Sequence, residues 1–266
     1  MKATSIEEVI QALDRIIEET ISTQNRLGYF ACLYRLVTER VREELAKGPG
    51  NSLFEDLARM EKMDVIFANR YLDAYHLHTY SGTPTNSWQV AFTGADDASA
   101  IVLQHLLLGM NAHIGLDLGI AAEEVCRDLN IPIESFHQDF NHINTILASL
   151  VGEVERELSR IWPPLKFILD ILPFRIDRVI TSFSMELARD KAWNFATQLS
   201  EASAKDPDSV KGMIQTRDQE VAAYGAGIAR PPWGLAILLF IVRLGERSSV
   251  ARNIEYLKGK MQEKSS

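Results

Sequence analysis

The 266-residue chain has only two cysteines, Cys32 and Cys126. Neither has zinc-knuckle spacing and both sit in apolar helical patterns, so buried free thiols are expected rather than a bridge. Apolar surroundings raise a thiol pKa, which makes both poor nucleophiles. Positive charge is also short: Lys and Arg number 28 against 36 Asp and Glu, giving a net charge of -8 and a pI near 5.3. That balance excludes nucleic acid as the expected partner, since phosphate neutralisation needs a basic stripe.

Long apolar runs are missing as well. The longest, Trp233 to Val242, is too short for about 30 Å of hydrocarbon and reads as a buried helix. The amino-terminal MKATSIEEVIQALDRIIEET is acidic and amphipathic, without the apolar region of a signal peptide. A membrane-surface role would draw on the 233–242 run and on IWPPLKFILDILPF, but the basic polar face such helices carry is absent. Membrane association is therefore not expected, and a soluble cytoplasmic protein is. No convincing period-2 segment, repeat or low-complexity tract occurs. There is no GxSxG, HExxH, P-loop or paired Glu-x-x-His motif; GAGIAR at 225–230 matches no dinucleotide fingerprint.

What remains is helical periodicity from end to end. Apolar residues make up 46% and charged residues 24%, an ordinary globular composition. Ser5 precedes an acidic turn and an apolar stripe of Ile6, Val9, Ile10, Leu13, Ile16 and Ile17. Further helices are expected over about 26–45, 52–77, 97–118, 132–158, 177–199, 210–229, 233–244 and 250–257, with one or two short ones over 161–173. Residues 78–88, HTYSGTPTNSW, read as a loop that closes on Trp88. The sequence ASAIVLQHLLLGMNAHIGLDLGIAAEEVC lacks a solvent face and should be central, with Gly109, Gly115 and Gly119 admitting close neighbours. The expected fold class is all-α. One domain over residues 1–266 holds about eight to ten helices around this nearly apolar central helix, with a polar tail from about residue 258.

Polar residues inside apolar helices carry the functional signal, because desolvation forces them to meet partners. His105, Gly109, His113 and Asp117 recur at steps of four along one side of the central helix. Asp139 falls beside the apolar stripe of Phe136, Phe140 and Ile143. His137, Asn141 and Asn144 share another face of that helix. Asp64 and Tyr71 are nearly eclipsed across two turns of the third helix, and Asp177 and Ser184 are similarly spaced later. Arg26 and Arg70 could clamp an anion, although a salt-bridged or solvated arginine is the plainer reading. Metal binding is chemically reasonable for imidazole and carboxylate ligands, with His113 and Asp117 the feasible pair. No metal site is assigned, and no cofactor is identified. Trp193 and Trp233 most simply pack in helix interfaces.

The blocks MDVIFANRYLDAY (63–75), SWQVAF (87–92), QHLLLGMNAHIGLDLGIA (104–121), DFNHIN (139–144) and FSMELARDKAW (183–193) resemble the bacterial DUF5995 family. The likeness covers about residues 26–200, and NAHI-x-x-DL is its most specific part. It implies a helical fold with a shared polar centre. The recurring positions are Asp64, Tyr71, Asp73, Trp88, Asn111, His113, Asp117, Asp139, Asn144, Asp177, Arg189 and Trp193. Where this chain has Gly115, many relatives have Asn. No substrate or reaction follows from it.

The functional expectation is a small-molecule enzyme or binding protein with an interhelical polar pocket. His113 would be its general base, with Asp117 or Asp139 orienting it or binding a metal. Asp64, Tyr71, Trp88, Asn111 and Asn144 would contact the ligand. One alternative is an interaction or scaffold protein whose polar network only fixes helix register; it requires fully paired polar groups and an exposed apolar patch. The other is a peripheral membrane protein.

Overall fold

The computed structural model describes residues 2–80, 82–161, 185–246 and 249–262, and no strand occurs among them. Helix α1 (Ile6–Ser22) opens on Ser5, whose hydroxyl accepts the Glu8 backbone N–H at 3.3 Å. Its expected stripe, Ile6 to Ile17, is buried. Helix α2 (Leu27–Ala46) ends before Gly48 and Gly50, both left-handed at φ +78° and +80°, where a side chain would be strained.

Several helix boundaries depart from the local pattern, and at two of them a carboxylate distant in sequence takes part. Helix α3 (Leu57–Tyr80) starts about one turn later than expected, behind Asp56, whose Oδ1 accepts the Arg59 N–H at 3.0 Å as a local cap. Ahead of it, the Asp139 carboxylate accepts the N–H groups of Glu55 at 2.7 Å and Asp56 at 3.4 Å. Helix α4 (Asn86–Gly94) occupies the end of the expected loop, placing Trp88 inside a helix. Thr85 offers α4 no side-chain cap. Asp218, far away in sequence, supplies it by accepting Asn86 N–H at 2.7 Å and Ser87 N–H at 2.8 Å.

The central element is α5 (Val102–Ala112), a π-helical turn (His113–Asp117) and α6 (Leu118–Leu129) in unbroken succession. It begins later than the expected residue 97. Between 102 and 126 every residue is buried except the half-buried Leu103, Met110 and Glu124. Helix α5 packs on α2 and α4, and α6 on α3. A Cβ at Gly109 would lie 2.3 Å from the Phe30 ring, and one at Gly119 only 2.7 Å from the Ala192 carbonyl oxygen. These glycines let their neighbours approach to backbone distance.

A 3₁₀ turn (Ile133–Phe136) leads into α7 (His137–Ile161), and α8 (Met185–Lys205) covers the described part of the helix expected from Asp177. The short helices expected after Ile161, together with Asp177 and Ser184, lie outside the described residues. Helices α9 (Ser209–Ala229), α10 (Trp233–Gly245) and α11 (Val250–Gln262) follow. Helix α9 packs on α4 and α5. Helix α11 packs on α1 and α2, and continues as helix beyond the expected start of the polar tail. Helix α10 corrects the expectation of a buried apolar run and of an interior Trp233. Leu239 and Val242 are buried, but Trp233 is 82% exposed and Leu244 69%, with Ile237 and Phe240 also exposed.

Candidate functional site

Helices α3 and α4 and the π-turn converge on the Asp117 carboxylate. Its Oδ1 accepts the Arg70 Nε–H at 2.9 Å, and its Oδ2 accepts the Trp88 indole N–H at 2.8 Å. His113 Nδ1 lies 3.3 Å from the same Oδ2. A π-turn widens the helix by one residue per turn, and such turns recur at functional sites. Here it spans the two residues that matter: the N–H of Leu118 reaches back to the His113 carbonyl, so His113 and Asp117 bracket the irregular turn.

Electrostatics assign the charge states. Burial pushes the Asp117 carboxyl up, yet Arg70, His113 and Trp88 outweigh it and hold it below the ordinary carboxylate range. Burial pushes the His113 imidazole down, and Asp117 only partly offsets this. The pair is thus an ionised carboxylate and a neutral imidazole donating Nδ1–H, with the Nε2 lone pair left over. That Nε2 is buried without a hydrogen-bond partner. The imidazole lies parallel to Phe67, ring centroids 3.5 Å apart and planes 5° apart, and meets the Tyr34 ring edge-on at 4.5 Å. Phe30, Tyr71 and Trp88 complete the aromatic surround.

Asp117 also borders a cleft of about 350 Å³. Ile66, Arg70 and Leu77 of α3, Trp88 of α4, and Glu124 of α6 line it. At the rim, Lys2 and Asp73 form an exposed ion pair at 3.7 Å. His113 is not part of the lining; it touches the cleft only through Asp117.

The remaining sequence candidates are distributed differently. Asp139 is fully buried in a separate network, where it receives Arg59 Nη2 at 2.5 Å in addition to the α3 amides. Its carboxylate closes the start of α3 instead of facing His113. Asn111 donates to the Val221 carbonyl at 2.9 Å, tying α5 to α9. Asn144 is half-buried on α7 and does not line the cleft. Asp64 is buried on α3 with Oδ2 unpartnered, and burial, then Glu61, push its carboxyl up to about 7. Tyr71 borders a void of only about 10 Å³ with Phe30, Trp88, His105 and Gly109, the size of a single water. His105 is pushed down to about 4 by burial. Arg189 is buried over the Phe140 ring and donates to the Phe140 carbonyl. Both cysteines are free and buried, with thiols pushed up by burial to about 12 for Cys32 and about 11 for Cys126. Among the described residues, no group of three or more His, Cys, Asp or Glu is placed to hold a metal ion, and no helix is long and apolar enough to cross a membrane.

Lys2 and Glu124 were missed from sequence, and Asp218 with them. Lys2 and Glu124 are ordinary charged residues in amphipathic patterns, and only the fold brings them to one cleft. Asp218 gave no local cue because its partners lie 131 and 132 positions away.

Comparison with known proteins places the chain in one family. The model of the "Family of unknown function (DUF5995)" matches residues 6–231, and the chain belongs to that family. The match takes in α1 and α9, beyond the 26–200 stretch where the resemblance was legible, and leaves α10 and α11 outside. No curated protein and no solved structure matches.

Proposed function

We propose that this DUF5995 protein binds a small molecule in the cleft beside Asp117. The observation that carries the reading is an ionised, buried carboxylate at the wall of a 350 Å³ cleft, held by side chains from three elements. An arginine, an indole and an imidazole from three elements orient this one carboxylate at the cleft wall, and convergent polar groups in a concave site are the usual mark of a ligand pocket. In this reading Asp117 and Arg70 form the polar floor and Trp88 the wall. His113 acts on the ligand through Asp117, since its buried imidazole does not line the cleft. Binding is favoured over general-base catalysis for that reason.

The test is a fragment screen followed by amide chemical shifts of the labelled protein. Shifts confined to α3, α4 and the π-turn, lost in a cleft-filling Ala74→Phe variant that keeps its helical circular dichroism, support the reading. A screen in which no fragment moves those amides overturns it.

A second reading, an interaction protein, draws on α10 alone, because the buried polar groups that this reading expected to be fully paired include the unpartnered His113 Nε2 and Asp64 Oδ2. Trp233, Ile237, Phe240 and Leu244 are all exposed and follow a 4-3-4 spacing, the seam spacing of paired helices. Their occupant would be a second copy of this chain. Together they offer roughly 500 Å² of apolar surface, so a symmetric pair would bury about the 1,000 Å² at which specific interfaces begin. Light scattering that returns a dimer, and a monomer for Phe240→Glu, supports this; a monomeric wild type at 100 µM or so overturns it.

A further inference from the structure

Resting on the cleft reading, we infer that the ligand is a small zwitterion, an amino-carboxylate of free amino acid size. The charges around the cleft do not cancel. Arg70 is paired with Asp117 at 2.9 Å and Lys2 with Asp73 at 3.7 Å, which leaves Glu124 as the carboxylate without a partner among the described residues. Half-buried and unpaired, Glu124 offers its carboxylate to a cation in the cleft. Arg70 spends only its Nε–H on Asp117. Its side chain is 26% exposed, and its Nη groups have no partner among the described residues. A guanidinium anchored at one edge presents a fixed fork of donors at the other, the geometry that receives a carboxylate.

The cleft therefore sets an anion-receiving group and a cation-receiving group around one small volume. A simple anion would leave Glu124 uncompensated, and a simple amine would leave the Arg70 fork unused. The apolar wall of Ile66, Leu77 and Pro84 suits an aliphatic side chain. About 350 Å³ is the lower end of ligand-pocket sizes, which excludes dinucleotides and long acyl chains.

The experiment uses the full chain and the twenty standard amino acids as probes, read by calorimetry and by amide shifts at the cleft. The best binder is then compared with its deaminated acid and its decarboxylated amine. The expected result is binding by at least one amino acid, with each charge-deleted analogue weaker by about tenfold or more. Glu124→Gln should weaken the amino acid and the amine but not the acid, which loses a like charge nearby. Arg70→Lys should weaken the amino acid and the acid, and Arg70→Gln should do so further. Circular dichroism verifies the fold of each variant, and the Glu124 variants stand even where Arg70→Gln fails to fold. An amine that binds as tightly as its parent amino acid, or twenty amino acids without binding while other fragments still occupy the cleft, overturns the zwitterion and leaves the cleft reading standing. Absence of any ligand from the cleft overturns both.

Discussion

Trp88 and Asp117, 29 positions apart, are joined by an indole N–H donated to Oδ2 at 2.8 Å, both groups buried. The bond fixes α4 to the π-turn and occupies the oxygen that also faces His113. In Trp88→Phe the carboxylate loses one of three partners while the ring volume is mostly kept. The expected cost is about 1–3 kcal/mol, from the lost charge-assisted hydrogen bond and a small cavity. Urea unfolding measures it, and an unchanged midpoint would show that the indole bond contributes nothing.

Asp139 gives a sharper stability prediction. It is 0% exposed, pairs with the buried Arg59, and accepts two amides ahead of α3. Asp139→Asn keeps the shape but leaves the Arg59 cation without its counter-charge. A loss of about 3–5 kcal/mol is expected, with faster hydrogen exchange at the amides of Glu55 and Asp56. Equal protection in wild type and variant would refute the capping role.

Gly119 tests how tightly α6 and α8 are packed. A methyl group there would meet the Ala192 carbonyl oxygen at 2.7 Å and the Phe195 ring at 3.0 Å. Backbone oxygen cannot swing aside, so α8 must move. Gly119→Ala should cost about 1–3 kcal/mol, although alanine is the better helix former by about 1 kcal/mol. A variant of higher Tm than wild type would mean the helices separate freely.

The helices were legible because their cause is local. Ile6 to Ile17 show the 3.6-residue period directly, and the absence of a polar face over 102–126 announced the central helix. The His113–Asp117 contact was legible for the same reason, since one helix carries both. The existence of α4 was not, because Asp218 caps it from another helix; at α3 the Asp56 cap was there to be read, but the turn ahead of it is braced by Asp139 from α7. The π-turn left no periodic signature, five residues being too few to shift the pattern. The cleft was hidden altogether: Arg70 and Glu124 meet through the packing of α3 on α6, and Lys2 joins them because Ala3 exchanges two hydrogen bonds with Asn69 of α3. Trp233 misled for the opposite reason, as an apolar run carries no record of whether anything packs against it.

Asp64 supplies a pH prediction whose sign can be worked out. Its folded-state carboxyl is raised to about 7 from an ordinary 3.8, so between those values the folded chain holds a proton that the unfolded chain has released. Asp64 therefore favours folding fully below about pH 4, and that contribution is lost as pH rises through 7. Relative to Asp64→Asn, which does not titrate, wild type should become less stable by about 2–4 kcal/mol between pH 4.5 and 8. Glu246 is also raised to about 7, chiefly by burial, but it is present in both proteins and cancels in the difference. Asp117 lies below its ordinary range, so its contribution fades only at more acid pH, outside this window. Paired urea titrations across the window measure the slope. A stability difference that stays flat with pH would mean that Asp64 is ionised in the folded chain, and therefore that its buried oxygen has found a partner.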